Sequence, residues 1–338
     1  MDGAMTDRPA AQEALLEVRD MRVSFAAPHG MIRAVQGVDL SLARGRTLGL
    51  VGESGSGKSV LARALMRLLP PTALISAASR VGFDGTEVTA LPERALRRWR
   101  GPGASMVFQD PMTALNPVMT VGAQVREVLS RHLGLRGRAA QARTEELLDQ
   151  VGLPQPALRA RQHPHQLSGG MRQRAAIAIA LAAEPKLLIA DEPTTALDVT
   201  VQAEILDLLA RLQRERNMAM ILITHDMGVV ARCADEVAVM YAGRIVERAA
   251  APPLFRAPRH PYSAALLASI PRLDDPPHRR LDAIPGRPPS LVAPPPGCAF
   301  APRCAHAAPA CAEGVPPLAP LGAGRACACR TPLPEDIA

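Results

Sequence analysis

The sequence predicts an α/β fold, in which a largely parallel sheet carries an inserted helical subdomain and a small loop-rich C-terminal module. Short aliphatic runs at residues 47–51, 187–190 and 220–224 predict fully buried strands. Residues 171–183 and 201–216 show helical patterning between and after these runs. Because strands that alternate with helices are typical of parallel sheets, the order of the segments predicts an α/β core.

The patterning also divides the chain into segments. Residues 1–12 contain acidic residues and proline without an apolar run, so we expect a flexible tail and no secretory signal. The α/β core is predicted over residues 13–250, and the inserted helical subdomain over about 111–167. Residues 251–338 hold 20 of the 33 prolines and lose regular periodicity. We therefore expect a separate module there that builds little core by itself.

Composition narrows the class of protein. Hydrophobic residues make up 48% of the 338 and charged residues 21%, which is typical of a globular protein with a sizeable core. The longest apolar run, 175–183, has nine residues, so we expect no membrane span and a cytoplasmic chain. The net charge of +7 is spread along the chain and says little about partners. Aromatic residues, at 2%, are too few for stacking bases, so we expect no nucleic-acid partner.

A phosphate-binding motif, G-x4-G-K-[ST], follows the predicted strand at 47–51 and opens a predicted helix. Its residues are Gly52, Glu53, Ser54, Gly55, Ser56, Gly57, Lys58 and Ser59. The glycines let successive backbone N–H groups point at phosphates, and the helix N-terminus adds the positive end of its dipole. Lys58 is expected on the β- and γ-phosphates, and the Ser59 hydroxyl on Mg²⁺. The motif in this context predicts nucleotide binding rather than a plain glycine turn.

A pair of carboxylates ends the predicted strand at 187–190. Asp191 at the strand tip can hold Mg²⁺ opposite Ser59, and Glu192 is placed to act as the general base on the attacking water. Many strands end in a polar turn, so the pair alone is weak evidence. Downstream of a phosphate-binding loop, it predicts a nucleotide-hydrolysing site.

Five residues before a predicted helix resemble the signature sequence of ATP-binding cassette (ABC) proteins; they are Leu167, Ser168, Gly169, Gly170 and Met171. In that family the motif contacts the nucleotide on the partner subunit, so that two ATP molecules lie between two ATPase domains. A simpler interpretation is that Ser168 caps an Ala-rich helix, and the two interpretations are compatible.

Four further positions resemble ABC motifs in the family's order. Gln109 resembles the Q-loop glutamine, which senses Mg²⁺ and the γ-phosphate, so the resemblance adds Gln109 to the Mg²⁺ set. Residues 196–198 resemble the D-loop at the dimer interface, with Asp198 as its acid. His225 ends a predicted strand and resembles the histidine that contacts the γ-phosphate. Phe25 is the candidate for the aromatic that stacks on adenine, where the family usually has tyrosine, or else it is a core residue.

A narrower resemblance covers nearly the whole chain from residue 15 to 330. The sequences GESGSGKS, VFQDPMTALNP, LSGGMRQR and ADEPTTALDVTVQAEIL are similar to those of the D-type ATP-binding subunits of oligopeptide and dipeptide importers. The match continues in the C-terminal segment at 260–263, 284–286, 296–298 and 300–304. The resemblance implies peptide uptake across a bacterial inner membrane, with nickel, glutathione or another solute as alternatives.

The same resemblance implies partners and a location. D-type subunits pair with a homologous F-type ATPase subunit, dock on two permease subunits and receive solute from an external binding protein. We therefore expect peripheral association with the cytoplasmic face of the inner membrane. The competing hypotheses are a soluble ABC ATPase acting on nucleic acid or the ribosome, and a regulatory subunit that binds ATP without turnover. One phosphate-binding loop and intact Glu192 and His225 disfavour them.

Five of the six cysteines lie in the C-terminal segment. A loop-rich segment needs a staple, so four thiolates there suggest a structural metal, and thiol chemistry alone leaves zinc and an iron–sulfur cluster open. The family resemblance implies a 4Fe–4S cluster on Cys298, Cys304, Cys311 and Cys329, with Cys327 as a substitute for Cys329. Unligated thiols are the alternative, and Cys233 is expected to be a small buried hydrophobe.

Overall fold

The computed structural model describes residues 14–195, 197–270, 284–322 and 324–335, so the tail predicted at residues 1–12 lies outside it. The strands are β1 (Ala14–Ala27), β2 (Gly30–Ala43), β3 (Thr47–Val51), β4 (Ala73–Ile75), β5 (Arg80–Phe83), β6 (Thr86–Glu87), β7 (Ala104–Val107), β8 (Leu187–Asp191), β9 (Ala219–Thr224), β10 (Glu236–Tyr241), β11 (Arg244–Ala250), β12 (Ala319–Gly322) and β13 (Arg325–Cys327).

The helices alternate with these strands through the first three quarters of the chain. They are α1 (Lys58–Leu65), α2 (Glu93–Trp99), α3 (Pro111–Ala114), α4 (Val121–Leu133), α5 (Gly137–Gln150), α6 (Pro156–Arg159), α7 (Gly169–Leu181), α8 (Val199–Glu215), α9 (Met227–Cys233), α10 (Ala251–Arg256) and α11 (Pro261–Ala268). Short 3-10 turns occupy Val88–Ala90, Pro164–Gln166, Ala301–Arg303 and Pro309–Ala312.

The central sheet of the described residues has the strand order β12-β13-β11-β10-β3-β9-β8-β7. Strand β3 pairs in parallel with β10 and β9, and β8 lies parallel between β9 and β7. Every residue of β3 and β8 is buried, which explains their unbroken apolar runs. The predicted α/β fold class is confirmed, and the three predicted strands coincide with β3, β8 and β9 to within one residue.

A second, antiparallel sheet packs beside the first and is built on the long hairpin of β1 and β2. It has the order β2-β1-β5-β6, and β4 also pairs with β1. The hairpin register sets Phe25 opposite Ile32 and Val23 opposite Val35. Alternate residues such as Val23 are fully buried, and they share a hydrophobic cluster with Leu61 of α1. This packing brings the end of the hairpin that carries Phe25 close to the loop after β3.

The segment between β7 and α7 is helical, and it rests on α7 and one face of the central sheet. Val125 and Leu129 of α4 and Leu147 of α5 are almost fully buried in one cluster with Ile177 of α7. Thr120 caps α4, because its side chain accepts a hydrogen bond from the Ala123 amide. The limits of the helical subdomain given above remain predictions.

The C-terminal segment extends the central sheet. Strand β13 pairs antiparallel with β11, with Cys327 opposite Glu247. Three aromatic rings join the two parts of the chain: Tyr262 and Phe300 lie against Tyr241 of β10, with ring centroids 4.5 and 5.4 Å from it. The described part of the segment therefore packs against β10 and β11 and does not form a core of its own. The boundary near residue 250 remains a prediction.

Among the described helices, none combines the length and the apolar character that crossing a bilayer requires.

Candidate functional site

The loop between β3 and α1 forms a tight cradle around the N-terminus of α1. A Cβ on Gly52 would lie 2.1 Å from the Met240 carbonyl oxygen, and one on Gly57 would lie 2.3 Å from that of Ala34. Both glycines have positive φ angles, of 150° and 105°, that side chains rarely adopt. The path of this loop therefore needs glycine at both positions.

Lys58 is the first residue of α1 and folds back over the same loop. Its Nζ donates hydrogen bonds to the carbonyl oxygens of Gly52 at 2.7 Å and Glu53 at 2.9 Å. Burial lowers the pKa of Lys58, although Glu192, Asp191 and Glu53 act in the opposite direction. The ammonium group is thus held by backbone dipoles beside a group of carboxylates.

Asp191 ends β8 with its side chain fully buried beside Ser59. The Ser59 hydroxyl donates to Oδ1 of Asp191 at 2.8 Å, whereas no described group donates to Oδ2. Burial raises the pKa of Asp191, and the Ser59 hydrogen bond only partly offsets this. A buried carboxylate oxygen without a donor, next to a serine hydroxyl, fits the oxygen ligands that Mg²⁺ prefers.

Glu192 is the most connected side chain of the site. Its Oε2 accepts hydrogen bonds from Gln109 Nε2 at 2.8 Å and from the Thr195 hydroxyl at 2.9 Å. Its Oε1 lies 3.3 Å from Nδ1 of His225. Glu192 also has a φ of 46°, in the left-handed region, while its amide donates to Ile223 of the neighbouring strand. Such local strain clusters at functional sites, where the surrounding structure maintains it.

A cavity of about 370 Å³ lies beside Lys58, Ser59 and Glu192. Its walls come from the β1–β2 hairpin, the loop after β3, Gln109, Glu192 and the C-terminal segment, and neither Asp191 nor His225 is among the described residues that line it. The lining residues are Phe25, Ile32, Ala34, Ser54, Gly55, Gly57, Lys58, Ser59, Val60, Gln109, Glu192 and Leu291. Phe25 is partly buried and also packs against the main cluster, so it lines the cavity and belongs to the edge of the core.

The signature residues lie elsewhere, at the N-terminus of α7. Ser168 caps this helix, because its hydroxyl accepts a hydrogen bond from the Met171 amide at 3.3 Å. Leu167 is buried, while Ser168 and Gly169 are exposed, and a Cβ on Gly170 would come within 2.8 Å of Val201 in α8. None of the motif's five residues is among the described residues that line the cavity. The motif thus presents its exposed turn away from the chain's own site.

The D-loop acid, Asp198, occupies the N-cap position of α8 and is exposed. Val199, directly after it, is 82% exposed, which is unusual for a large apolar side chain. Ala196, the first D-loop residue, lies outside the described residues.

Several residues of the site were not predicted from the sequence, and Thr195 and Leu291 are two of them. Thr195 forms a hydrogen bond with Glu192, and the repeated Thr-Thr after the carboxylate pair was the only signal for it. Leu291 lines the cavity from the proline-rich segment, and its carbonyl accepts a hydrogen bond from the Arg33 amide at 2.9 Å. No motif marks Leu291, because its position depends on how the C-terminal segment returns to the hairpin.

The predicted metal cluster of the C-terminal segment is wrong. Within the described ranges, no group of three or more His, Cys, Asp or Glu side chains is placed to hold a metal ion. This finding corrects the 4Fe–4S prediction for Cys298, Cys304, Cys311 and Cys329, and it applies equally to zinc and to Cys327. Burial raises the pKa of the Cys298, Cys304 and Cys329 thiols, and backbone hydrogen bonds partly offset this.

The geometry by itself defines a class of protein. This class has a P-loop nucleotide-binding site with an Asp-Glu pair and a separate, exposed signature turn. Two families match the chain, the ABC transporter family over residues 35–195 and the oligopeptide/dipeptide transporter C-terminal region over residues 246–311.

Curated relatives extend this match to the full length. The oligopeptide transport ATP-binding protein OppD of Salmonella typhimurium is 51% identical over 330 residues, covering 98% of this chain and 97% of that protein. OppD of Bacillus subtilis is 52% identical over 287 residues, covering 85% of this chain and 80% of that protein. The dipeptide transport protein DppD of Bacillus subtilis is 50% identical over 289 residues, or 86% of each.

Solved structures of ABC ATPases also match the core of this chain. The dimeric ATP-binding cassette MJ0796, bound to ADP and phosphate in a post-hydrolysis state, superposes with a TM-score of 0.62 at 28% identity. The match covers 98% of that chain but 70% of this one. The chain therefore belongs to the ABC transporter family and is an ABC ATPase, most similar among these relatives to oligopeptide and dipeptide transport ATP-binding proteins.

Proposed function

We propose that this chain hydrolyses ATP to power the import of dipeptides and oligopeptides across a bacterial inner membrane. The observation that carries the proposal is the 51% identity to an oligopeptide transport ATP-binding protein over 97% of its length. The match to the oligopeptide/dipeptide transporter C-terminal region supports the same solute class. Nickel, glutathione or another solute is the alternative within the family.

The site geometry supports the proposed role of each residue. The loop amides from Gly52 to Ser59 and the Lys58 ammonium bind the phosphates of ATP, with the helix dipole of α1 behind them. Phe25 and Leu291 form the apolar wall of the cavity, which suits the adenine base. Gln109 lines the cavity and is hydrogen-bonded to Glu192, so it links the nucleotide to the helical segment.

Ser59 and Asp191 fit Mg²⁺, and Gln109 completes the proposed set. The free Oδ2 of Asp191 and the adjacent Ser59 hydroxyl support this role. When bound, the ion neutralises charge on the β- and γ-phosphates. Asp191 holds its side chain toward that position because the end of β8 is buried between two parallel neighbours.

Glu192 is the proposed general base. It accepts a proton from the water that attacks the γ-phosphate, while His225 and Gln109 fix its carboxylate on either side. His225, 62% exposed in its side chain, is proposed to contact the γ-phosphate.

The proposed partners come from the family resemblance, and two exposed features support one of them. The turn at Ser168 and Gly169 and the apolar Val199 beside Asp198 both face outward on this chain, which supports contact with a second ATPase. We propose a homologous F-type ATPase subunit as that partner, two permease subunits above it and an external solute-binding protein. The chain then lies on the cytoplasmic face of the membrane, and the helical segment at 111–167 transmits motion to a permease.

Reconstitution tests the proposal. The chain is assembled with its partner ATPase and permeases in liposomes, with ATP on the side of the ATPases and the solute-binding protein on the other side, and the uptake of labelled oligopeptide, nickel and glutathione is measured. We expect accumulation with the wild-type chain and none with Glu192→Gln. Accumulation of nickel or glutathione without peptide would contradict the solute class, and peptide accumulation by the variant would contradict the coupling.

A further inference from the structure

The C-terminal segment holds one residue of the P-loop by both its side chain and its backbone. Nη1 and Nη2 of Arg303 donate to Oε2 and Oε1 of Glu53 at 2.7 and 2.9 Å. The amide of Glu53 donates to the hydroxyl of Tyr262 at 2.8 Å. Arg303 and Tyr262 lie 250 and 209 residues after Glu53, so the segment returns to the start of the nucleotide loop from far along the chain.

Contacts other than those with Glu53 also hold the Arg303 side chain in place. Its side chain is 4% exposed, and its Nε donates to the Pro285 carbonyl at 2.8 Å. Nη1 also donates to the hydroxyl of Tyr241 at 3.2 Å. The hydrogen bonds to Glu53 raise the pKa of Arg303, so the charge is permanent. A planar guanidinium in this setting aligns with a carboxylate in a single orientation.

Tyr262 is fixed equally firmly. Its side chain is fully buried, and its ring lies between Tyr241 and Phe300, with centroids at 4.5 and 5.3 Å. It sits in the first turn of α11, which His260 caps by accepting a hydrogen bond from the Tyr262 amide. The hydroxyl therefore presents a stationary acceptor to the Glu53 amide.

The contacts pass through Glu53 to the phosphate-binding lysine. The carbonyl of Glu53 accepts a hydrogen bond from Lys58 Nζ at 2.9 Å, so all three polar parts of Glu53 are bound. Taking the Arg303 charge out of water offsets much of its attraction to the partly exposed Glu53, so the pair adds little net stability. What a bidentate pair does supply is a defined geometry. Here that geometry belongs to the loop that receives the phosphates.

We propose that Arg303 and Tyr262 are positioning residues that keep the P-loop in its nucleotide-binding shape, so that the C-terminal segment sets the affinity for ATP. The inference rests on the proposed function, because it assigns the segment a role in the same nucleotide site. The proposal predicts that a substitution that disturbs the contacts of the C-terminal segment with Glu53 also lowers the affinity for ATP.

Three single variants of the full chain test the proposal. Arg303→Ala removes the pair, Arg303→Lys keeps the charge without the planar fork, and Tyr262→Phe removes only the hydroxyl. The matched control is Arg259→Ala, because Arg259 is another C-terminal arginine in an ion pair, with Glu335, and its described hydrogen bonds do not reach the P-loop.

Equilibrium binding of a fluorescent ATP analogue and steady-state hydrolysis supply the readouts. We expect ATP affinity to fall about tenfold in Arg303→Ala and about threefold in Tyr262→Phe, with Arg303→Lys between them. The KM for ATP should rise by similar factors while kcat stays within about twofold, because the proposed base is untouched. The control should bind ATP like the wild type.

A double variant asks whether Arg303 acts through Glu53. In a Glu53→Gln background, Arg303→Ala should weaken ATP binding far less than it does alone, since the effects of two residues in one interaction do not add. Full additivity would overturn the proposal. So would wild-type affinity in both Arg303→Ala and Tyr262→Phe, even if their melting temperatures fall. If Arg303→Ala does not fold, Tyr262→Phe decides.

Failure of this inference is distinguishable from failure of the proposed function. A wild-type chain that does not bind ATP contradicts the proposed function. A wild-type chain that binds ATP, with Arg303→Ala and Tyr262→Phe both binding equally well, contradicts only the role of the C-terminal segment.

Discussion

Two carboxylates near the nucleotide site, Glu53, which is partly buried, and Asp191, which is fully buried, differ in their hydrogen bonding. Glu53 has both oxygens bound by Arg303 and its backbone bound by Tyr262 and Lys58. Asp191 is more deeply buried, yet its Oδ2 accepts no hydrogen bond from any described group. The protein's own groups bind both oxygens of the Glu53 carboxylate, whereas the Asp191 carboxylate keeps an unpaired oxygen for a ligand.

This difference distinguishes a carboxylate that positions the P-loop from one that can bind a ligand. Each oxygen of Glu53 accepts a hydrogen bond from a buried arginine, so this carboxylate is held in one orientation and its effect on function runs through geometry. An unpaired buried carboxylate costs stability and is retained where an ion is to bind. The unpaired carboxylate, Asp191, lies in the α/β core, and the C-terminal segment supplies the partners of the paired carboxylate, Glu53.

The largest expected effect within this comparison comes from the core loop itself. Gly57→Ala should weaken ATP binding roughly 100-fold, because its Cβ would meet the Ala34 carbonyl oxygen at 2.3 Å and the residue has a φ of 105°. Gly55→Ala is the matched control, since it has a φ of 79° but no atom within 4 Å of its Cβ. Binding of a fluorescent ATP analogue measures both.

Gly55→Ala should weaken binding by about tenfold or less, the scale of the left-handed strain alone. Equal losses in the two variants would show that backbone strain, and not the close approach to Ala34, controls the loop.

A smaller effect concerns stability and pH at Asp191. Burial raises the pKa of this carboxyl above its ordinary 3.8, so the folded chain favours the protonated form. The contribution to stability is therefore fully present below the unfolded pKa and is lost as pH rises through the folded pKa. At neutral pH the charged side chain costs stability, and a neutral isostere should relieve part of that cost.

Asp191→Asn should accordingly raise the melting temperature of the nucleotide-free chain at pH 7 by about 2 °C, the scale of ~1 kcal/mol in a chain of this size. The gain should disappear as the pH is lowered through the raised pKa of the folded chain, because protonation removes the buried charge of wild-type Asp191. Mg²⁺-dependent hydrolysis should fall sharply in the same variant. A variant that is less stable at pH 7 would contradict the unpaired state of Asp191.

The smallest expected effect lies in the C-terminal segment at Leu291. This side chain lines the cavity opposite the P-loop, so Leu291→Ala should reduce ATP affinity by about fivefold, close to the ~1 kcal/mol expected for half of a buried leucine. Val292→Ala is a suitable control, because Val292 faces Gly30 instead. Unchanged affinity in Leu291→Ala would remove the segment from the base-binding wall while leaving the role of Arg303 intact.

The sequence predicted the parts of the molecule that are set locally. Strands β3, β8 and β9 were predictable because both faces are buried, which requires continuous apolar runs. The P-loop was predictable because its glycines and Lys58 occur at fixed spacing between a strand and a helix. The N-cap role of Ser168 was likewise available from the sequence.

Contacts between distant segments could not be predicted in the same way. Nothing near Glu53 indicates that it pairs with Arg303, because the contact depends on where Tyr241 and Phe300 place the C-terminal segment. The cysteines misled for a related reason: their number in a loop-rich segment and the family resemblance suggested a metal, while the relative positions of their side chains depend on packing.

The most direct test of the account is steady-state ATP hydrolysis by Glu192→Gln, measured together with ATP binding. Glu192→Gln keeps the size of the side chain that Gln109, Thr195 and His225 surround, but removes its capacity to accept a proton. The account predicts a fall in kcat of about 100-fold or more with ATP affinity nearly unchanged, while the exposed control Glu215→Gln hydrolyses ATP like the wild type. Hydrolysis by Glu192→Gln within about threefold of the wild type would contradict the assignment of the general base.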